Sequence, residues 1–427
     1  MLAPSIIDEC TAGRPLLVGF SGGLDSTVLL HLLATSSRKP GLRAIHVDHG
    51  LQADSDHWRA HCAAFCDELG VTMTAVRVDV GRDAGVGLEA AARHARHAAL
   101  GSELGEDEVL VLAHHRDDQA ETFLLRALRA SGVDGLAAMR GWRPFGRGWL
   151  WRPLLDTPRA QLRTYADEHG LAWIEDPSNH DDALDRNFLR HQVLPLLRAR
   201  WPGVDAAFAT SAGLAAQAGT LLDEDDERIL DGLRGDQADS IDIARLSGVS
   251  PARQARVLRH WLATLDLPPL PAEGVKRIRE DLLAGQCDSQ PEFAWSGAWV
   301  RRWRDRLHAG RDQSALPPDW RVQWDGRGAL QLPGGGELRL VGAERFDAPV
   351  LATARRGGER IALPRRAHSH SLKHVLQASG VPPWMRGRLP LLLDVDGRLL
   401  AAGDVATSAV FSNWLDARGA RLEWKRA

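Results

Sequence analysis

The chain has 427 residues, of which 44% are hydrophobic and 26% charged, and a formal net charge of −3; these values suit a globular protein of two or three domains. No uninterrupted apolar stretch approaches membrane-spanning length, and Met1-Leu-Ala-Pro-Ser shows no basic region leading into the apolar core of a signal peptide. Four cysteines, Cys10, Cys62, Cys66 and Cys287, are too few and too scattered for a disulfide framework, so a cytoplasmic protein with no membrane partner is expected.

The first predicted strand covers residues 16–20, Leu-Leu-Val-Gly-Phe, and runs straight into Ser21-Gly22-Gly23-Leu24-Asp25-Ser26-Thr27 and a helix near Ser26. A strand, a glycine loop and a helix N-terminus point backbone N–H groups and the positive helix end at an anion. Gly22 and Gly23 allow close approach and positive φ, while Ser21, Ser26 and Thr27 add hydroxyls. Asp25 would repel phosphate unless it holds Mg²⁺. No Lys-Ser/Thr pair closes the loop, so it is not a Walker A motif. It resembles the SGGxDS pyrophosphate loop of the N-type ATP pyrophosphatases.

Further strands are predicted at 42–47, 72–78 and 109–113, with helices starting near Asp56, Leu88 and Gln119. This alternation predicts an α/β fold, a Rossmann-like parallel sheet with helices on both faces. Ligands of such sheets sit at the carboxyl ends of the strands. Three polar clusters fall there: Ser21–Ser26, Asp48-His49-Gly50, and His114-His115-Arg116-Asp117-Asp118. Asp117 is expected to N-cap the next helix. Asp118 and Glu121, three residues apart, share a helix face and suit a cationic amine such as lysine, or a metal ion recruiting His114 or His115. Cys62 and Cys66 are expected to pack as small apolar groups. Glu89, Arg93 and Arg96 read as a surface ion-pair ladder. Arg186 and Arg190, one turn apart, are candidates to clamp phosphate.

Residues 201–230 read as a helical connector, ending in the acidic run Asp223–Glu227, a solvated face. Residues 231–330 are expected to form a small, mainly helical domain, with helices at 251–265 and 271–283 and a hairpin over 292–308. A small α+β domain is expected over 351–427. From Leu351 onward, 13 Lys+Arg oppose 6 Asp+Glu, a balance of +7; the rest of the chain therefore carries −3 − 7 = −10. A basic terminal segment on an acidic body suggests a polyanionic partner touched by one region.

The segments SGGLDST, VDHGL, GLEAAARHAR, AHHRDDQAET, RPLLD and EDPSN…RNFLRH, in this order and spacing, resemble the tRNA(Ile)-lysidine synthetases. The likeness is dense from residue 15 to about 200. It resumes at Arg355-Arg356-Gly-Gly-Glu-Arg360 and from Ser371 to Leu392; His97 departs from it, standing where tyrosine is commoner. The resemblance implies a PP-loop ATP-binding catalytic domain over 1–200 and tRNA-binding parts over 231–330 and 351–427. It implies ATP-dependent attachment of L-lysine to C2 of the wobble cytidine of the CAU anticodon of tRNA(Ile). The route passes through an adenylated tRNA, releases AMP and pyrophosphate, and turns AUG reading into AUA reading. It assigns Ser21, Gly22, Gly23, Leu24, Asp25 and Ser26 to ATP, and Asp25 to Mg²⁺. Asp118 and Glu121 become candidates to hold lysine. Arg186 and Arg190 would lie near phosphates or tRNA, and Arg355, Arg356, Arg360, Arg365, Arg366 and Lys373 would contact tRNA phosphates. A carboxylate or His114 is expected to take the lysine proton. A homodimer is compatible with the sequence. Against a tRNA thiolase stands the lack of paired CxxC cysteines; against an amidotransferase, the lack of a glutaminase segment; against a non-catalytic tRNA binder, the intact Asp25, Asp118 and Glu121.

Overall fold

The structure, a computed structural model, describes residues 7, 10–36, 41–48, 55–79, 88–177, 183–235, 237–284, 291–366 and 368–425; His49, Gly50, Gly87, Asn179, Cys287 and the side chain of Glu89 lie outside this set. The chain forms two compact units, Met1–Glu224 and Asp225–Ala427.

The first unit is built on strands β1 Leu16–Gly19, β2 Leu42–Asp48, β3 Thr72–Arg77, β4 Val109–Val111, β5 Trp142–Phe145 and β6 Gly148–Trp151. Their order is 3-2-1-4-6-5. All neighbours pair in parallel except the β5–β6 hairpin at one edge. Leu16, Leu17 and Val18 are each at most 2% exposed, as a strand covered on both faces requires. Their side chains alternate between two cores. Leu16 and Val18 face the core with Phe20, Val28 and Leu29. Leu17 faces the one with Ile45, Leu100, Leu104 and Leu110. Its helices include α1 Leu24–Ala34, α2 Ser55–Leu69, α3 Leu88–Glu103, α4 Arg116–Leu128, α5 Arg159–Glu168 and α6 Asp185–Phe188, the last running on through a π-helical turn, Leu189–Val193. Strand order reverses between β1 and β4. The crevice outside their carboxyl ends is where ligands of doubly wound sheets bind.

Helix α7, Val204–Leu233, occupies the expected connector. Its acidic run is not a solvated face. Asp226 is 1% exposed and meets Arg256 Nε at 2.7 Å. Asp225 meets Arg253 at 3.1 Å and Glu227 meets His260 at 2.5 Å. Arg253, Arg256 and His260 are one and two turns apart on the helix Pro251–Thr264, a pairing that no local pattern reveals.

In the second unit, an antiparallel sheet joins Ser240–Asp242, Arg306–Arg311, Ala298–Trp303 and Glu292–Trp295 in that order. The expected hairpin is thus part of a four-stranded sheet; its three-residue edge strand is too short to show alternation. The last sheets include Arg321–Trp324, which pairs with Val350–Thr353, and Glu337–Val341, which pairs with Arg421–Lys425. Residues 321–341 therefore share the core of the C-terminal strands.

Trp384 sits edge-on to Trp299, Trp303 and His308, with centroids 5.4, 6.3 and 5.5 Å away. Burial and Arg306 push the His308 pKa down to about 4, outweighing Asp239 and Asp305. The folded ring stays neutral while the unfolded one takes a proton below its ordinary value near 6.5. Stability is therefore lost as pH falls from 6.5 toward 4. One such histidine removes about 1.5 kcal/mol between pH 6.5 and 5. Urea unfolding followed by tryptophan fluorescence should show His308→Gln losing one proton's worth of this pH slope.

Candidate active site

At the end of β1, Phe20 N donates to Ile45 O at 2.8 Å and the chain turns through Ser21–Gly23 into α1. Gly22 has φ +79°, and a Cβ there would lie 2.8 Å from Cys62 Sγ, so two separate constraints demand glycine. Ser26 Oγ donates to Gly23 O at 3.0 Å and accepts from Ser21 N at 3.2 Å. Gly23 caps α1 without a side-chain acceptor, leaving first-turn amides for an anion. Beneath the loop, burial and Cys66 push the Cys62 thiol up to about 12, while burial and Asp67 push Cys66 up to about 11. Both are protonated packing groups, as expected.

The N-cap of α4 is His115, not Asp117. His115 Nδ1 accepts from Asp118 N, and Asp118 Oδ2 accepts from His115 N at 3.1 Å, a reciprocal capping box. Asp117 instead accepts from Arg159 N and Arg198. His115 Nε2 lies 3.6 Å from Asp25 Oδ2 and 3.5 Å from Asp118 Oδ2. Burial opposes its protonation, but Asp25, Asp118 and Asp117 outweigh burial and raise its pKa.

Arg186 and Arg190 come back from the far side of the chain onto α4. Arg186 Nε meets Glu121 Oε2 at 2.6 Å and its Nη2 meets Asp118 Oδ1 at 2.8 Å. Arg190 Nε meets Glu121 Oε1 at 2.6 Å, and its Nη2 reaches Asp118 Oδ1 at 3.4 Å. Two carboxylates and two guanidiniums thus form one closed network. Burial opposes ionisation of Asp118, but His115, Arg186, His114 and the His115 amide hold its pKa down to about 2. Glu121, with its side chain 1% exposed, is held by both arginines and is not among the residues lining the cavity. The arginine pair clamps carboxylates rather than standing free for phosphate.

Ser21, Gly23, Asp25, Ser26, His46, Asp48, Trp58, Arg96, His114, Asp118 and Asp176 contribute to the wall of a cavity of about 660 Å³, a size that suits a nucleotide. Asp25 and Asp118 lie on it with the glycine loop. Asp25 Oδ1 is buried without a hydrogen-bond partner, with Arg159 Nε 3.6 Å away. Among the described residues, no group of three or more His, Cys, Asp or Glu side chains is placed to hold a metal ion. An ion shared between one carboxylate and phosphate oxygens fits that orphaned atom.

Two cavity residues, Arg96 and His46, and one residue behind the cavity wall, Arg152, escaped the reading of the sequence. Arg96, expected on a surface ladder, lines the cavity, and burial with Arg93 and Arg186 lowers its pKa. His46 Nδ1 donates to Phe20 O at 3.0 Å, which in the neutral ring leaves Nε2 as an acceptor. Arg152, 7% exposed, donates from Nε to His114 Nδ1 at 3.1 Å. The i, i+3 spacing of Arg93 and Arg96 was the one local signal, because two like charges on one helix turn need a polyanion or a buried partner.

In the C-terminal part, Arg355 pairs with Glu359 at 3.2 Å and is half-buried. Arg356, Arg360, Arg365, Arg366 and Lys373 are exposed.

A glycine loop after the first strand of a 3-2-1-4 sheet, with an acidic and basic cavity above it, marks a nucleotide-using PP-loop fold. Residues 4–197 match the family model of the PP-loop domain, 241–308 the TilS substrate binding domain and 350–424 the TilS substrate C-terminal domain. The chain belongs to the tRNA(Ile)-lysidine synthase family. It is 54% identical over 421 residues to the tRNA(Ile)-lysidine synthase of Xanthomonas axonopodis pv. citri, covering 98% of this chain and 95% of that protein. It is 50% identical over 420 residues to that of Xylella fastidiosa, covering 97% and 95%, and 43% identical over 385 residues to that of Pseudomonas putida, covering 88% and 89%.

Proposed function

We infer that the protein uses ATP to join L-lysine to C2 of the wobble cytidine in the CAU anticodon of tRNA(Ile). The observation that carries this is the meeting of the glycine loop, Asp25 and Asp118 on one cavity in a chain similar to lysidine synthases over its whole length. In the first step the cytidine carbonyl oxygen attacks the α-phosphorus of ATP and pyrophosphate leaves. In the second the lysine ε-amine attacks C2, the C–O bond to AMP breaks, and the amine proton passes to solvent or a base. Ser21, Gly22, Gly23, Leu24 and Ser26 hold the phosphates through backbone and hydroxyl donors. Asp25 would hold Mg²⁺, which supplies neutralisation of charge gathering on pyrophosphate. Asp118 faces the lysine ammonium; Arg186 keeps it ionised, and Glu121 holds Arg186 and Arg190 in place against it.

Asp118, with its pKa near 2, orients the ammonium and is too weak a base to deprotonate it. The base must enter the cavity unstacked from its neighbours. No helix among the described residues is long and apolar enough to cross a membrane. Work on tRNA supports a cytoplasmic location. Incubation with tRNA(Ile), ATP and labelled lysine tests the reading: label fixed in tRNA with AMP release supports it, and ATP turnover without label transfer overturns it.

The basic segment positions the tRNA. Arg365 and Arg366 are exposed and carry no ion pair among the described residues. Neutralising both should weaken tRNA binding and reduce the slope of log affinity against log salt by about one for each phosphate that is no longer neutralised. The rate at saturating tRNA should hardly change. Parallel salt plots of equal affinity would mark these arginines as a solvated face.

A further inference from the structure

His114 closes β4 at the switch point of the sheet and lines the cavity with Ser21, Asp25 and Arg96. Its Nδ1 receives the Arg152 Nε–H at 3.1 Å. An arginine Nε always carries hydrogen and never accepts, so His114 Nδ1 is bare and the ring hydrogen sits on Nε2. Among the described residues, that Nε2–H has no protein partner. Arg152 is itself fixed: it is 7% exposed, and its Nη1 donates to Arg140 O at 2.8 Å.

We propose that His114 is an uncharged hydrogen-bond donor to an acceptor oxygen of the adenylating substrates, and that Arg152 is the positioning residue that sets this tautomer. His114 therefore does not take the proton of the lysine amine. The inference rests on the lysidine-forming reading above and adds to it the role of this ring. The acceptor is an oxygen that gains negative charge, either on the α-phosphoryl group or on the cytidine C2 substituent.

The surroundings support an uncharged ring. Burial, Arg152, Arg186 and Arg96 outweigh Asp118 and push its pKa down to about 3. Accepting a lysine proton would create a cation among three arginines. A neutral donor stabilises the developing anion without repelling the lysine ammonium that must enter the same cavity. His46 offers the opposite polarity, because its Nδ1–H is spent on Phe20 O. The two rings thus present one donor and one acceptor, each set by a neighbour.

The test uses enzyme labelled with ¹⁵N-histidine, with His114→Asn identifying the resonance among the 17 histidines. A neutral ring with bare Nδ1 and protonated Nε2, unchanged from pH 5.5 to 8, is expected. An Nδ1–H tautomer, or titration near neutrality, overturns the proposal. Arg152→Met should let the tautomers mix; an unchanged signature there overturns the positioning role. In turnover, His114→Ala should lose about 10²-fold in kcat, the scale of one oxyanion donor, with the KM for lysine unchanged. His114→Gln, which keeps an N–H, should recover part of the loss, and His114→Glu none. Full activity of His114→Ala, or rescue by the acceptor-only Glu, overturns the proposal. Formation of adenylated tRNA without lysine separates the sources: a slowed first step assigns the acceptor to that step, and a loss seen only with lysine assigns it to departing AMP. The ring spectra stand whether or not lysidine forms, so this inference and the functional reading fail separately.

Discussion

Asp25→Ala should lower AMP formation by about 10³-fold or more, while tRNA affinity stays near that of the wild type. The carboxylate stands inside a loop built for anions, where a negative charge is tolerable only beside a cation. Its Oδ1 is buried and has no hydrogen-bond partner, so the fold gains little from it. The nearby donors, His115 Nε2 and Arg159 Nε, are each 3.6 Å away and form no close bond. Loss of electrostatic stabilisation at the transferring phosphoryl group accounts for the size of the effect. Pyrophosphate release measured across a Mg²⁺ titration checks it. Near-normal adenylation by the variant at ordinary Mg²⁺ would remove Asp25 from the metal role.

Glu121→Gln should cost roughly 3 kcal/mol of stability, the low end of the range for breaking a buried ion-pair network. The side chain is 1% exposed and accepts from both arginines at 2.6 Å. A neutral amide leaves two guanidiniums facing each other with Asp118 as their one carboxylate. The low end applies because the side chains of Arg186 and Arg190 keep 24% and 28% of their surface in water, which screens part of the repulsion. Urea unfolding at pH 7 gives the number. A loss below about 1 kcal/mol would mean that the network is solvated and that Glu121 matters less than its burial suggests.

Much of this protein was legible along the chain. Leu16-Leu17-Val18 reads as a strand because it is apolar throughout, and it is apolar throughout because both faces are covered. The loop Ser21–Thr27 reads as a phosphate loop because its glycines, hydroxyls and carboxylate are contiguous. Four of the five parallel strands, the helices between them and the clusters Ser21–Ser26 and His114–Asp118 at strand ends follow from local period and punctuation. Local pattern alone determined these, since each depends on residues within one or two turns of each other.

Tertiary structure decided what each charged group meets. Glu121 and Arg190 are 69 residues apart, and Asp118 and Arg186 are 68 apart. Their union joins the two candidate arginines and the two candidate carboxylates in one buried network. The N-cap moved from Asp117 to His115 because the imidazole could bond the Asp118 amide, a choice between neighbours that spacing does not make. Asp226 is buried because Arg256, 30 residues on, comes to meet it. His114 is a donor because Arg152, 38 residues away, occupies its other nitrogen. Hydrogen bonds and ion pairs act over about 3 Å, and which groups come that close is set by how the chain folds back, not by their separation along it.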